Sequence, residues 1–457
     1  MSMTKNTSQS IAVPVAAKVE SLVLGLGATG LSVARYLKRN VIDARYFDSR
    51  SEPPGLDELR KLAPDAEIIL GGSIDMVLEN INRIIVSPGI ADSEPILKVA
   101  RESGIEIMSD IELFVREVTA PIVAITGSNG KSTVTTLLSH MCDASTRTAL
   151  AGANLGEPAL DLLERDKPDF YVLELSSFQL QRTQHLSAKI AVLLNITADH
   201  LDWHESEQNY RKAKYQIFKN AGAAVITRAD PEIAKHVGKH NVVITFGLDA
   251  AEEGHYGLLK KDGVDFLAHG KEPLLATTEL TMVGRHNQLN ALAALAAGEL
   301  MGLELSAMLQ VIAEFPGLPH RMQLVARRKG VDFINDSKAT NVGAAVASIK
   351  SIEGTVVLIA GGEAKGGDFN NLSAVLSDSL RAAVLIGRDA DKIAKALKNQ
   401  APVYIANDIN DAVVHAANFA ESGDTVLLAP ACASFDQFPN YQVRGLAFGE
   451  AVLRLPT

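Results

Sequence analysis

Short β-branched apolar runs alternate with amphipathic segments along most of this 457-residue chain. "SLVLGLG", "ARYFD" and "RIIVSPG" fall in the first hundred residues. "PIVAITG", "FYVLEL", "IAVLLNI" and "AAVITR" lie in the middle, and "TVVLIAGG", "AAVLIG", "PVYIA" and "DTVLLAP" towards the end. A run that is apolar at nearly every position needs cover on both faces, as in a parallel sheet between helices. Helical spacing at 133–140, 290–300 and 411–420 supplies such cover. The chain is therefore expected to be α/β, with mostly parallel sheets flanked by helices. Residues 242–283 or so are less helical and suit a small antiparallel element. At roughly 100–200 residues per domain, about three domains are expected. "SDIELF" at 109–114 precedes a second nucleotide-type strand, and "FPGLPHR" at 315–321 has the Pro/Gly content of a linker. The expected domains are 1–109, 110–317 and 318–457.

A net charge of −10 argues against non-specific nucleic-acid binding, so an anionic ligand needs locally clustered Lys and Arg. Two cysteines, Cys142 and Cys432, in so long a chain suit the cytoplasm. No apolar run reaches the roughly 18 residues of a membrane span. The opening "MSMTKNTSQSIAVPVAAK" has a short apolar stretch broken by Pro14, and reads as a polar tail rather than a signal peptide. No internal repeat or low-complexity block is evident.

Two glycine loops carry chemistry. "GLGATG" places Gly25, Gly27 and Gly30 directly after a strand, and the next strand ends at Asp48. This is the dinucleotide fingerprint with its acidic ribose partner: glycines admit a diphosphate, and a helix N-terminus aims N–H groups at it. NAD, another nucleotide diphosphate, or a tight turn without ligand all fit this loop alone. "AITGSNGKST", residues 124–133, resembles a phosphate loop but is two residues shorter than G-x-x-x-x-G-K-[ST]. Gly127 and Gly130 permit inward N–H groups, with Ser128 and Asn129 between them. Lys131 is placed for β- and γ-phosphates, and Ser132 or Thr133 for Mg²⁺. A plain glycine-rich turn is the bland alternative.

Glu174, in "VLELSSFQL", ends a buried-type strand, where an unpaired carboxylate is costly and where α/β sheets place ligands. It reads as a metal ligand beside the Mg-nucleotide loop, or else as half of a salt bridge. "NITADHLDWH" offers Asp199, His200, Asp202 and His204, but no cysteine and no zinc spacing. "NYRKAK" follows, carrying Tyr210 to Lys214.

"TGSNGKST", "LELSSFQL", "NITADHLD", "YRKAK", "GRHNQLNALAA", "LPHR", "NDSKATN", "GG-x-x-K" and "PACASFDQF" occur in this order. Together, over about residues 20–455, they resemble the Mur ligases, amide-forming enzymes that build the peptidoglycan precursor. The resemblance implies three domains: two Rossmann-like ones flanking a central P-loop ATPase-like one. It implies ATP-driven activation of a carboxylate as an acyl phosphate, then attack by an amine. "NDSKATN" and "PACASFDQF" point to UDP-N-acetylmuramoyl-L-alanine and D-glutamate as substrates. A sibling ligase with another amino acid, a folylpolyglutamate synthetase, an NAD-dependent oxidoreductase and an ATP-driven switch are the rivals. The protein is expected to be a cytoplasmic monomer.

Residue by residue, the resemblance gives Lys131 and Ser132 or Thr133 the ATP phosphates and one Mg²⁺. It gives Glu174 and His200 a second Mg²⁺, and makes Lys214 a lysine carbamylated by CO₂. Asn287 and Asn290 fall at the adenine end, and Arg321 and Asp336 reach the nucleotide from the last domain. Asn154 contacts substrate. Lys338, Thr340, Lys365, Ser434, Phe435 and Tyr441 face D-glutamate. The first loop then holds UDP, along Ala28, Thr29, Asp48, Ser49 and Ser87–Gly89. Lys338 and Lys365 as ordinary surface lysines, and Lys214 as an ion-pair partner of Asp199 or Glu174, are the bland readings. Two departures are Tyr441, where Phe is expected, and Ala153 before Asn154, where Gly is commoner.

Overall fold

Ser21–Leu24 is buried at every position and lies at the centre of a five-stranded sheet. In this computed structural model the described residues are 20–71, 77–238, 242–282, 284–352, 354–364, 368–376, 379–398 and 400–456. The chain divides into two compact units, Met1–Leu113 and Phe114–Thr457.

The first unit holds Ile68–Leu70, Ala44–Asp48, Ser21–Leu24, Arg83–Val86 and Glu106–Ser109, side by side in that order and all parallel. Strand order reverses on either side of Ser21–Leu24, so a crevice opens at its C-terminal end. The glycine loop and Ser87–Gly89 both leave the sheet there. Gly25 has φ +95°, and a Cβ on it would lie 2.9 Å from the Ser87 hydroxyl. A Cβ on Gly30, in the first turn of the helix Ala28–Arg39, would lie 1.9 Å from the Gly25 carbonyl oxygen. Helix and strand can approach this closely only because Gly30 has no side chain.

The second unit contains two sheets. In the nine-stranded one, Ala149–Ala153, Phe170–Glu174, Ile122–Thr126, Ile190–Leu193, Ala223–Thr227 and Val242–Phe246 run parallel. Tyr256–Lys261, Val264–His269 and Glu272–Ala276 extend it as an antiparallel meander. The antiparallel element is thus narrower than 242–283: the chain crosses over through the helix Pro231–Ala234, so Val242–Phe246 joins in parallel. Two helices cover one face, Lys131–Ala144 and Arg285–Met301. Ala291–Ala297 is fully buried, and its Ala/Leu sequence lets the helix sit within the core on all sides.

The six-stranded sheet orders Gln323–Arg328, Val331–Asn335, Thr425–Leu428, Val356–Gly361, Leu380–Ile386 and Val403–Ile405. Only the first pair is antiparallel. Apolar clusters cover both faces, as the near-continuous strands require. The first unit thus has one α/β sheet and the second has two, in keeping with the expected class. Among the described residues no helix is long and apolar enough to cross a membrane.

Gly30→Ala forces its Cβ onto a carbonyl and should destabilise the first unit by about 1–3 kcal/mol or more. Gly27→Ala meets nothing within 4 Å and should stay within about 0.5 kcal/mol of the parent. Urea unfolding followed by circular dichroism separates the two; equal stability of both variants would contradict the close approach at Gly30.

Candidate active site

The phosphate-type loop is braced from outside by Asn195, Thr197 and Tyr210 as well as by its own Ser128 and Lys131. Gly127 and Gly130 have φ +155° and +87°, and a Cβ on Gly130 would lie 2.3 Å from Asn290 Oδ1. The Ser128 N–H donates to the Asn195 carbonyl (2.9 Å), and the Asn129 N–H donates to Asn195 Oδ1 (2.9 Å). Asn195 Nδ2 donates back to the Asn129 carbonyl (3.0 Å). Ser128 Oγ lies 3.0 Å from the Tyr210 hydroxyl and donates to the Thr197 carbonyl. Lys131, Ser132 and Thr133 then open the helix Lys131–Ala144, which has no side-chain cap. Its first N–H groups face outward as an anion site.

Loop and helix form one wall of a cavity of about 610 Å³. Asn129, Gly130, Lys131, Ser132, Thr133, Asn154, Glu174, His200 and Lys214 line it from the nine-stranded sheet. Asn287 and Asn290 do so from the buried helix, and Arg321, Asp336, Lys338 and Thr340 from the last sheet's side. Arg321 Nη2 donates to Ser132 Oγ (2.7 Å), and Asn341 Nδ2 donates to Asp199 Oδ2 (2.8 Å), so the two halves of this unit meet across the site.

The charges here are unusually confined. Lys131 Nζ donates to the carbonyls of Gly127 (2.9 Å) and Ser128 (3.0 Å). Lys214, 1% exposed, donates to the same Gly127 carbonyl (2.9 Å) and lies over the Tyr210 ring, 4.7 Å from its centroid. Burial, and then the nearby Lys131, hold the Lys214 pKa well below the usual lysine range, with Asp199 and Glu174 opposing. Burial lowers Lys131 as well, against Glu174. Glu174 is 3% exposed; burial would raise its carboxyl, but Lys131, Ser132 and Asn154 together hold it below the ordinary value. Asn154 Nδ2 donates to Glu174 Oε1 (2.6 Å), whereas Oε2 is unpartnered among the described residues.

His200 takes a left-handed backbone, φ +53°, and Phe178 meets its ring edge-on at 4.9 Å. Asp336 is buried, accepts from Ser348 Oγ and the Met322 N–H, and burial pushes its carboxyl up to about 6. Asn290 Nδ2 donates to Asn287 Oδ1 (3.1 Å).

Other sequence-derived candidates lie apart from this cavity wall. Ser434 is buried, Phe435 is exposed, and the Tyr441 ring centroid lies 4.2 Å from Lys338 Nζ. Lys365 lies outside the described residues. Ala28, Thr29, Asp48, Ser49, Ser87 and Gly89 cluster in the first unit around its glycine loop. There Asp48 Oδ2 accepts from the Leu26 N–H (2.8 Å), and Arg50 closes on both carboxylate oxygens (2.8 and 2.7 Å). Asp48 thus braces the loop whatever else it meets.

Several lining residues were not singled out from sequence. Asn195 and Asn341 stood inside quoted motifs, where only their mutual geometry reveals a bracing role. His286 lines the cavity with its Nδ1 unpartnered among the described residues; burial and Arg321 push it down to about 4.

Three family models match in succession: "Mur ligase MurD-like, N-terminal domain" over residues 19–109, "Mur ligase middle domain" over 125–298, and "Mur ligase, glutamate ligase domain" over 320–432. This chain belongs to the Mur ligase family. Among curated Mur ligases, the UDP-N-acetylmuramoylalanine–D-glutamate ligase of Nitrosococcus oceani is 47% identical over 434 residues, covering 94% of this chain and 96% of that protein. The enzyme of that name from Legionella pneumophila (strain Paris) is 46% identical over 439 residues, covering 94% and 98%. Among solved Mur ligase structures, MurF of Thermotoga maritima in complex with ADP superposes with a TM-score of 0.60 at 17% identity, covering 96% of each chain. UDP-N-acetylmuramate–alanine ligase of the same organism gives 0.59 at 20%, covering 94% and 98%. These structural likenesses concern the fold.

The Asp48 brace has a pH signature. Burial would raise this carboxyl, but Arg50 and the Leu26 and Arg50 N–H groups bring it from 3.8 down to about 2. Its stabilisation is therefore complete above the unfolded value and disappears as pH falls through the folded one. With Arg50 half exposed, Asp48→Asn should cost about 1 kcal/mol at neutral pH. Urea titrations by circular dichroism should show that deficit closing below about pH 3; a constant deficit would rule out the ionised brace.

Proposed function

We propose that this Mur ligase is an ATP-dependent amide-bond ligase that adds D-glutamate to UDP-N-acetylmuramoyl-L-alanine in peptidoglycan precursor synthesis. The near-full-length relatives bearing that name support the substrates. The observation carrying the chemistry is the cavity where Lys131, Lys214, Arg321 and the open helix N-terminus converge on Glu174. Such a site brings two anions together, which is the central difficulty of phosphorylating a carboxylate.

In this reading a carboxylate oxygen of the UDP substrate attacks the γ-phosphorus of ATP. An O–P bond forms, the bond to ADP breaks, and an acyl phosphate results. The D-glutamate amine then attacks the acyl carbon, a C–N bond forms, phosphate leaves, and the amine gives up a proton. Lys131 and the N–H groups of Gly127–Thr133 hold the ATP phosphates. Asn287, Asn290, Arg321 and Asp336 hold the rest of the nucleotide. Residues 1–109 take the UDP moiety, through Ala28, Thr29, Asp48, Ser49, Ser87 and Gly89. Residues 110–317 take ATP, with Asn154 contacting the substrate. Residues 318–457 take D-glutamate, through Lys338, Thr340, Lys365, Ser434, Phe435 and Tyr441. Two buried free cysteines suit a cytoplasmic enzyme, here taken to act as a monomer.

The donors also suit Mg²⁺ at two positions. Among the described residues no three His, Cys, Asp or Glu side chains gather as a metal cage. Mg²⁺ instead favours one or two carboxylates together with hydroxyl and phosphate oxygens. The unpartnered Glu174 Oε2 and the hydroxyls of Ser132 and Thr133 are of that kind, with His200 at the edge. Mg²⁺ would neutralise the phosphoryl and carboxylate charge. An ammonium at Lys214 could not ligate it, whereas a carbamate on Nζ from CO₂ would present oxygen ligands. Carbamylation needs a neutral amine, and burial of Lys214 favours one.

Two tests follow from this reading. Phosphate release should require UDP-N-acetylmuramoyl-L-alanine and D-glutamate together; equal release with L-glutamate or meso-diaminopimelate would overturn the substrate assignment. Separately, Lys214→Ala should lose about a hundredfold or more of turnover and recover part of it with added acetate or formate. Lys214→Arg should stay inactive and lack the carbamate carbon signal in ¹³C NMR with labelled bicarbonate. Full activity of Lys214→Arg would end the carbamate idea.

A further inference from the structure

Arg444 is 1% exposed, among the largest fully buried side chains, and no carboxylate among the described residues pairs with it. Burial lowers its pKa to about 10, which leaves it cationic at neutral pH. Its charge is met almost entirely by backbone oxygens. Nε donates to Ser337 Oγ (3.0 Å), and Nη2 donates to the carbonyls of Ser337 (2.9 Å) and Cys432 (3.2 Å). Nη1 reaches the carbonyls of Cys432 (3.2 Å), Ala433 (3.4 Å) and, at the limit, Gly361 (3.5 Å). Ser337 Oγ in turn donates to the Tyr441 carbonyl (2.9 Å), one helical turn before Arg444.

These contacts select particular segments. Ser337 immediately precedes Lys338, and Cys432–Ala433 immediately precedes Ser434 and Phe435. Tyr441, whose ring lies against Lys338, begins the helix that carries Arg444. One planar fork therefore joins Ser337–Lys338, 107 residues away in sequence, to Cys432–Phe435 and to the helix that begins at Tyr441, stretches that carry side chains assigned above to the amino acid. An unsatisfied buried cation would be costly, so the three carbonyl-bearing turns are held in the one arrangement that satisfies it.

We infer that Arg444 is a positioning residue for the amino-acid substrate: it touches no substrate, but sets the relative placement of Lys338, Ser434 and Tyr441. The inference rests on the ligase reading above. Lysine cannot replace it, because an ammonium has three donors around one point and lacks the fork that spans both sides.

The test is Arg444→Lys in the full-length protein, with Ser337→Ala as a milder variant that removes the Nε acceptor and its bond to the Tyr441 carbonyl but leaves the guanidinium and its backbone acceptors in place. Three quantities are measured: KM for each substrate, hydroxylamine trapping of the acyl phosphate without D-glutamate, and hydrogen exchange. For Arg444→Lys, the KM for D-glutamate should rise about tenfold or more, while those for ATP and the UDP substrate stay within about twofold. Hydroxamate yield should be unchanged, and the amides of 338–340 and 433 should exchange faster. Ser337→Ala should move the same way by less, and decides the matter if Arg444→Lys does not fold. Unchanged D-glutamate KM despite a lower melting temperature overturns the inference, as does a joint rise of all three KM values. Failure of the parent enzyme to give hydroxamate would count against the ligase reading instead; unaltered exchange at 338–340 and 433 would then still reject the clamp.

Discussion

Two lysines share one carbonyl oxygen. Lys131 and Lys214 both donate to Gly127 at 2.9 Å, and the rest of the cavity is arranged around that crowding. Two ammonium groups so close, and largely away from water, repel each other. The repulsion is relieved by Asp199 and Glu174, by lowered lysine pKa values, or by an anionic ligand. Phosphate oxygens are a natural electrostatic complement to such a pair of lysines. Gly127 suits this position: it has φ +155°, and a Cβ on it would lie 3.0 Å from Leu194 Cβ.

The crowding has a structural origin in strand order. Ile122–Thr126 lies between Phe170–Glu174 and Ile190–Leu193, so three strand ends deliver the glycine loop, Glu174 and the Asn195–His200 segment to one place. Parallel strands all end on the same side, and the helix beginning at Lys131 adds its unsatisfied N–H groups there. The last sheet contributes Arg321 and Asn341 from its own loops. Each makes one hydrogen bond to the central half, to Ser132 and Asp199 respectively.

What the sequence revealed, and what it hid, follows from the range of the interactions. Strands rich in Val and Ile, such as Val356–Gly361, declared themselves, and so did the loop at Gly127–Thr133, whose glycines, lysine and hydroxyls stand at fixed short spacing. Ala149–Ala153 did not, because "ALAGA" lacks β-branched residues and owes its strand to the pairing with Phe170–Glu174. Gln323–Arg328 is a polar edge strand, defined only by its partner Val331–Asn335. In the site, Lys131, Glu174 and Asn290 were legible through motifs. Asn195, which braces the loop from 66 residues away, and Arg444, which bonds Ser337 across 107, leave no periodic trace.

The two halves of the second unit are therefore stabilised in different ways. In the central half the acting groups are charged, mutually perturbed, and restrained by a few side-chain bonds such as Asn154 to Glu174. Burial and their mutual charges shift the protonation of Lys131, Lys214 and Glu174 together. In the last half the charge of Arg444 is buried behind the loops, bound to backbone oxygens, and separated from solvent. Removing it from water costs several kcal/mol before those carbonyls offset it, so it has little freedom to rearrange when a ligand binds. A rigid frame of that kind fixes distances between side chains rather than charge. Fixed distances serve orientation of a small ligand, and preorganised donors serve stabilisation of developing charge. The confined side-chain charges lie at the strand ends of the nine-stranded sheet, and the backbone-bound guanidinium lies beside the six-stranded one.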